Sequence, residues 1–222
     1  MNISPILFLI FNRPKTTKKV FSAIKKAQPP RLYIAADGPR SEYPNDAESC
    51  DISRAIATNV DWNCEVKTLF RDQNLGCRLA VSQAIDWFFE HEPEGIILED
   101  DCLPSQSFFW FCQEMLEFYR NDKAVGAICG FYSNELEYTP NASYFFSRYL
   151  RVWGWAGWRR SIEGYDTNID FLTEKQNTWE KDIFSGTEII LKNYWQNIFE
   201  EVRSGKIDTW DTQLQYLLWL KK

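Results

Sequence analysis

The sequence predicts an α/β fold in which a mostly parallel, Rossmann-like sheet is flanked by helices. Short apolar runs, typical of strands buried on both faces, alternate with segments that carry apolar residues at helical spacing. Turn-forming or charged residues end most of these runs. The chain has 222 residues, of which 45% are hydrophobic, which suffices for one core of useful size. We therefore expect a single domain over 1–222.

The strands can be assigned in order along the first half. The first is the apolar run Ile6–Phe11, which Pro14 ends, and the fourth is Gly95–Leu98, which runs directly into Glu99-Asp100-Asp101. The second strand ends in Asp37-Gly38-Pro39, a strong turn signal. The five predicted strands cover 6–11, 32–36, 65–70, 95–98 and 124–129.

Helices are predicted between these strands. Val20, Phe21 and Ile24 give the first one its apolar face, and Pro29-Pro30 stops it. Ser105 is the expected N-cap of the fourth. The predicted helices of the first half cover 16–27, 48–59, 79–90 and 105–119. The second half has clustered aromatic residues, an irregular stretch over 144–164, and helices predicted at 188–203 and 209–220.

Composition excludes several classes of protein. The net charge of −6 argues against nucleic acid as a partner, which requires clustered Lys and Arg. The six cysteines form no CxxC pair, and the lone His91 cannot complete a Cys/His zinc site. No signal peptide or 20-residue apolar span is present, so we expect a cytoplasmic protein. Aromatic residues make up 16% of the chain and suit both a core and sugar ligands.

Charged residues follow three predicted strands. Arg13 follows the first, Asp37 the second and the acidic triplet Glu99-Asp100-Asp101 the fourth. Because ligands of open α/β sheets bind at the carboxyl ends of the strands, these side chains are candidate ligand contacts. Three adjacent carboxylates are tolerated where a divalent cation binds, and also in a solvated turn. Alternation along a strand would put Glu99 and Asp101 on one side and Asp100 on the other.

Five segments follow one another in a characteristic order: Phe11–Pro14, Ala36–Gly38, Asn74–Gly76, Ile97–Asp101 and Trp210-Asp211. In this order they resemble the GT-A glycosyltransferases, and Ile97–Asp101 contains a Glu-Asp-Asp form of the DXD motif of that family. The chain is most similar to the branch of the beta-1,2-N-acetylglucosaminyltransferases and to bacterial relatives that build polysaccharides. The resemblance implies a GT-A sheet, with a nucleotide-binding half at 1–130 and an acceptor-side half at 131–222.

The resemblance also implies roles for individual residues. Asn12, Arg13 and Asp37 match positions that bind the nucleotide, usually uridine. Asp101 matches the ligand of Mn²⁺ or Mg²⁺. Neighbouring positions that contact the sugar and ribose of the donor are matched by Glu99 and Asp100.

In the second half, the resemblance concerns the chemistry and the acceptor. Asp211 matches the general base of inverting relatives, and Val152–Trp158, with Trp155 as the predicted contact, matches a loop beside the donor sugar and the acceptor. Read without the resemblance, Asp211 is also a favourable first residue of a helix, and Asp208 is a rival base. Since relatives continue beyond the Trp-Asp helix, we expect Lys222 to leave acceptor-side elements missing.

The predicted function is metal-dependent transfer of a sugar from a nucleotide-diphosphate donor, a UDP-sugar, to a glycan hydroxyl with inversion. A lipid-linked acceptor would bring the protein to a membrane surface. One alternative is a non-catalytic protein of the same fold that binds carbohydrate or nucleotide sugar. A nucleotidyltransferase is a weaker alternative, since no Gly-x-Gly loop with basic residues follows the first strand.

Overall fold

The computed structural model describes residues 3–132, 141–169 and 189–221. Its centre is a six-stranded mixed sheet in the order β3-β2-β1-β4-β6-β5. Strands β1 to β4 are parallel, β6 is antiparallel to β4, and β5 is antiparallel to β6. The strands are β1 (Ile6–Ile10), β2 (Arg31–Ala36), β3 (Glu65–Phe70), β4 (Glu94–Glu99), β5 (Ala127–Cys129) and β6 (Trp155–Trp158).

Helices cover both faces of this sheet, as the sequence predicts for an α/β fold. Each helix predicted in the first half is present, with ends shifted by no more than three residues. The helices are α1 (Pro14–Ala27), α2 (Asp46–Thr58), α3 (Gly76–His91), α4 (Gln106–Phe118), α5 (Arg159–Ile162), α6 (Ile189–Arg203) and α7 (Asp211–Leu220). In the described part of the chain, none has the length and apolar composition needed to cross a bilayer.

Alternating side chains of β1 divide the core into two layers. Ile6, Phe8 and Ile10 pack with α1, α2 and α4, whereas Leu7 and Leu9 pack with α3, α5 and α7. All five residues of β1 are buried because the strand lies between β2 and β4 and has helices on both faces. A third cluster joins α6 to α7. Central strands of this kind hold the residues at their carboxyl ends in fixed positions.

Two predictions about the second half of the sheet were wrong. The fifth strand is limited to Ala127–Cys129, and the stretch predicted as irregular contains both β6 and α5. Only four residues form β6, two of them the small Ala156 and Gly157, so its own pattern is too short to indicate a strand. It forms because both edges pair, Ala156 lying opposite Ile96 in β4 and Ile128 in β5. The sheet is therefore mixed, and four of its six strands are parallel, in agreement with the mostly parallel sheet that the sequence predicts.

Candidate functional site

The chain reverses direction across the sheet between β1 and β4. From β1 it proceeds outward to β2 and β3, then crosses back to form β4 on the other side of β1. A crevice forms at the carboxyl ends of the strands at such a switch point, and ligands of open α/β sheets bind there. Arg13 follows β1 at this point, and Glu99-Asp100-Asp101 ends β4. The predicted convergence of these residues is present.

Arg13 joins two carboxylates of the triplet. One guanidinium nitrogen, Nη2, lies 2.6 Å from Asp100 Oδ1, and the other, Nη1, lies 2.6 Å from Asp101 Oδ2. The Asp100 side chain is fully buried, whereas Asp101 is 46% exposed. The two ion pairs therefore differ in environment, one being anchored in the protein interior and the other open to solvent.

Asp100 ties the turn after β1 to the end of β4. Its Oδ2 accepts a hydrogen bond of 3.1 Å from the backbone N–H of Phe11. Burial raises the pKa of Asp100, although Arg13 and the Phe11 N–H both favour the charged form. The expected alternation of the triplet does not hold, because the strand ends at Glu99 and the chain turns through Asp100 and Asp101.

A cleft of about 360 Å³ lies on one side of the triplet, and we call it the switch-point cleft. The ends of β1, β2 and β4 form its floor, and the first turns of α3 form one wall. Burial, and then the charges of Asp101 and Asp100, raise the pKa of Glu99 in this cleft to about 7. Its charged lining residues are Arg13, Asp37, Arg40, Arg71, Glu99, Asp100 and Asp208.

A second cavity, of about 460 Å³, lies on the other side of the triplet, and we call it the aromatic pocket. Asp101 and Ser105 are among its few polar lining residues. Phe131 and the 56% exposed Trp153 meet edge to face there, with their ring centroids 4.6 Å apart. The other lining residues are Leu98, Cys102, Leu103, Pro104, Phe108, Gly130 and Gly154. Asp101 thus faces a cavity suited to a ligand with an apolar face.

Asp37 lines the switch-point cleft, but its carboxylate is already engaged. It accepts hydrogen bonds from the Asn74 amide at 2.9 Å and from the backbone N–H groups of Leu75 and Gly76 at 3.0–3.1 Å. The N-terminal N–H groups of a helix have no partners within the helix, and an acceptor there stabilises it. Asp37 therefore orders the start of α3 in addition to lining the cleft.

The amide of Asn12 points to a carboxylate that the sequence analysis did not single out. Its Nδ2 donates to Asp46 Oδ1 at 2.7 Å, and Arg40 Nε donates to Asp46 Oδ2 at 2.7 Å. Asp46 is buried, and Arg40 above all lowers its pKa to about 2. Arg40 also lies 3.8 Å above the Tyr43 ring. Asp46 thus fixes the position of a cleft-lining arginine, yet the sequence shows only an acidic residue at the start of a helix.

Of the two candidate bases, Asp208 lines the switch-point cleft, whereas Asp211 lines neither of the two cavities. Asp211 is the first residue of α7 and accepts a short hydrogen bond from the Thr209 hydroxyl. Its negative charge contributes to the raised pKa of Glu99, after burial and the charges of Asp101 and Asp100. Asp208 accepts hydrogen bonds from the backbone N–H groups of Cys77 and Arg78 in the first turn of α3. The rival base thus has an evident structural role.

Most tryptophans of the Val152–Trp158 segment, including the predicted contact Trp155, are in the core. Trp155 is 1% exposed and stacks on Trp210, which is 3% exposed, with 6.2 Å between the ring centroids. Trp158 is also buried and lies beneath the Arg160 guanidinium. Neither cavity is lined by Trp155, because β6 turns this side chain toward α7. Of Trp153, Trp155, Trp158 and Trp210, Trp153 alone lines either of the two cavities.

The residues present fit a divalent cation bound together with a diphosphate. Mg²⁺ in such sites takes one or two carboxylates and completes its shell with water and phosphate oxygens. Asp101 offers a half-exposed carboxylate between the two cavities. Within 3–132, 141–169 and 189–221, no group of three or more His, Cys, Asp or Glu side chains is arranged to hold an ion by itself. Burial raises the pKa of the adjacent Cys102 thiol to about 12, so this thiol is neutral at pH 7 in the metal-free protein.

The fold and this site together define an α/β protein with a cleft at a topological switch point. Comparison with protein-family models gave no match, and comparison with curated proteins gave none either.

Proposed function

We propose that the protein is a metal-dependent, inverting glycosyltransferase of the GT-A type. It would transfer a sugar from a nucleotide-diphosphate donor, a UDP-sugar, to a hydroxyl of a glycan or lipid-linked saccharide. The observation that carries this proposal is the position of Glu99-Asp100-Asp101 between two cavities at the switch point. The nucleotide would lie in the switch-point cleft with its diphosphate at the triplet, and the acceptor would approach from the other cavity.

The switch-point cleft suits the nucleotide. Its lining combines arginines with apolar residues of β1 and β2 such as Leu9 and Ala35. Arginine recognises phosphate through a planar fork of N–H donors, and apolar walls accommodate a base. Arg13, Asp37 and Glu99 are the residues proposed to contact the donor. Asn12 is proposed to act on the donor indirectly, because it holds Asp46, which in turn positions the cleft-lining Arg40.

Asp101 is proposed to hold Mn²⁺ or Mg²⁺ together with the diphosphate. When bound, the cation neutralises the charge that develops on the leaving group. The role of the protein is to present a single carboxylate that remains partly exposed to solvent. The half-exposed Asp101 meets this requirement, whereas the fully buried Asp100 is proposed to act as its structural support.

Asp211 is proposed as the general base. The acceptor oxygen would form a bond to the anomeric carbon while the bond to the diphosphate breaks, and the hydroxyl proton would pass to the Asp211 carboxylate. Thr209 holds this carboxylate in place through its hydroxyl. Attack from the face opposite the leaving group inverts the configuration at that carbon.

The aromatic pocket is proposed to receive the acceptor. Trp153 and Phe131 present apolar ring surface near Asp101, and the faces of pyranose rings pack on such surfaces. The same exposed pair favours a second candidate function, namely a non-catalytic protein that binds carbohydrate or nucleotide sugar. The two candidates differ in whether any transfer takes place.

Calorimetric titration of UDP with and without Mn²⁺ tests the proposal. We expect binding that depends on Mn²⁺ in the natural protein and is lost in the Asp101→Asn variant. Asp61→Asn is the matched control, because Asp61 is an exposed carboxylate paired only with Lys25 among the described ion pairs. Unchanged Mn²⁺-dependent binding in Asp101→Asn would refute the metal assignment. Product analysis with UDP-sugars and glycan acceptors then separates the enzyme from the binding protein.

A further inference from the structure

Arg13 binds the carboxylate that is proposed to hold the metal. Its Nη1 lies 2.6 Å from Asp101 Oδ2, a normal distance for a charge-assisted hydrogen bond. A guanidinium and a divalent cation that share one carboxylate oxygen repel each other strongly at such distances. The position of Arg13 in the ligand-free protein is therefore unfavourable for a metal ion on Asp101.

The two partners of Arg13 hold it unequally. Asp100 has no solvent exposure and is fixed by the Phe11 N–H, so its pair with Arg13 cannot be given up without leaving a buried charge. Asp101 is 46% exposed, and an exposed ion pair contributes little to stability. Arg13 can release Asp101 at low cost while it remains attached to Asp100.

We propose that Arg13 sets the metal affinity of this site by competing with the divalent cation for Asp101. The free protein then binds Mn²⁺ weakly, and the ion enters together with a diphosphate. The inference rests on the proposed function, since it takes Asp101 as the metal ligand. The anion supplies the negative charge that both cations require, so Arg13 and the metal can occupy the site together only when it is bound.

Titration with Mn²⁺ alone tests this competition. Binding is measured as the loss of the free-ion signal in electron paramagnetic resonance. We expect Arg13→Gln to tighten Mn²⁺ binding by at least about tenfold. Arg71→Gln is the matched control, because it removes the same charge from the lining of the same cleft while Arg71 donates to Gln83 rather than to the triplet. For this control we expect a change of less than about threefold.

A second variant separates competition from net charge and protects against misfolding. Arg13→Gln with Asp100→Asn removes one positive and one negative charge, so no buried charge is left unpaired. The double variant should still bind Mn²⁺ more tightly than the natural protein, because Asp101 has been freed. Adding Asp101→Asn to Arg13→Gln should abolish the gain.

The results that would contradict the competition differ from the result that would contradict the proposed function. Unchanged or weaker Mn²⁺ binding in both Arg13 variants would overturn the inference and would mean that Arg13 supports the site. An equal gain in Arg71→Gln would also overturn it, by showing a general charge effect. If Asp101→Asn leaves Mn²⁺-dependent UDP binding intact, the proposed function itself fails. If that binding is lost but Arg13→Gln gives no gain, the function stands and the competition does not.

Discussion

The carboxylate of Asp208 accepts a hydrogen bond of 2.9 Å from the backbone N–H of Cys77, 131 residues earlier in the chain. A second bond comes from the N–H of Arg78 at 3.3 Å. Asp37 accepts from Leu75 and Gly76, so two carboxylates from distant segments receive consecutive N–H groups at the start of α3. The segment before α7 is thereby attached to the wall of the switch-point cleft.

Asp208→Ala should lower the free energy of unfolding by about 1 kcal/mol, the usual effect of losing a helix N-terminal acceptor. Urea unfolding followed by circular dichroism would measure the change. Gly76→Ala should be more damaging, because Gly76 has φ +80° and a Cβ there would lie 2.8 Å from Asp208 Oδ2. An unchanged stability in Asp208→Ala would show that water replaces the carboxylate at no cost.

Much of the fold of residues 3–132 could be predicted from local pattern. Strands β1, β2 and β4 are apolar runs with clear ends, and their carboxyl-end residues converge as parallel strands require. The positions of Arg13 and the acidic triplet followed from this alone. Local pattern is sufficient here because the residues follow directly after the strands that position them.

The remaining features depend on contacts between distant segments. Strand β6 forms through pairing on both edges, and no pattern within four residues indicates that. Asp46 acts on the cleft through Arg40, and it also accepts a hydrogen bond from Asn12, which is 34 residues away. Trp153 and Trp155 are two residues apart in an aromatic segment, but one is exposed and the other is buried. Composition could identify the segment as unusual but could not separate the two.

Asp211→Asn should leave donor binding intact while it lowers the transfer rate about 10²–10⁴-fold, because the amide cannot accept the proton of the acceptor. Single-turnover assays with a radiolabelled UDP-sugar would measure the rate, and calorimetry would measure donor affinity. Asp208→Asn is the comparison variant, for which we expect weaker donor binding through the disturbed start of α3. Collapse of transfer in Asp208→Asn alone, with donor affinity unchanged, would identify Asp208 as the base instead.

Stability should depend on pH through Asp46. Hydrogen bonds from Arg40 and Asn12 lower its folded-state pKa to about 2, below the ordinary value of 3.8. A depressed carboxylate pKa stabilises the folded state fully above about pH 4, and this contribution is lost as the pH falls toward about 2. Asp46→Asn should therefore cost on the order of 2 kcal/mol at pH 7 and progressively less below pH 4.

Urea unfolding of both proteins between pH 3 and pH 7 would test the Asp46 prediction. Asp51→Asn, on the exposed side of the same helix, is the control and should show a small, nearly constant difference from the natural protein. A difference for Asp46→Asn that stays the same at every pH would mean that the carboxylate contributes through shape rather than charge.

Trp155→Ala should mainly lower stability, whereas Trp153→Ala should mainly weaken acceptor binding. Trp155 is fully buried against Trp210, so its truncation leaves a cavity and should cost about 3–5 kcal/mol of unfolding free energy. Trp153 is 56% exposed and contacts Phe131, so its loss should cost about 1 kcal/mol or less.

Because Trp153 lines the aromatic pocket, its removal should raise the KM for a saccharide acceptor roughly five- to tenfold while donor affinity is unchanged. Thermal unfolding and initial-rate kinetics would measure both effects, with Trp110→Ala as the control for loss of a half-exposed tryptophan that lines neither cavity. An equal rise in KM for Trp110→Ala, or none for Trp153→Ala, would move the acceptor out of the aromatic pocket.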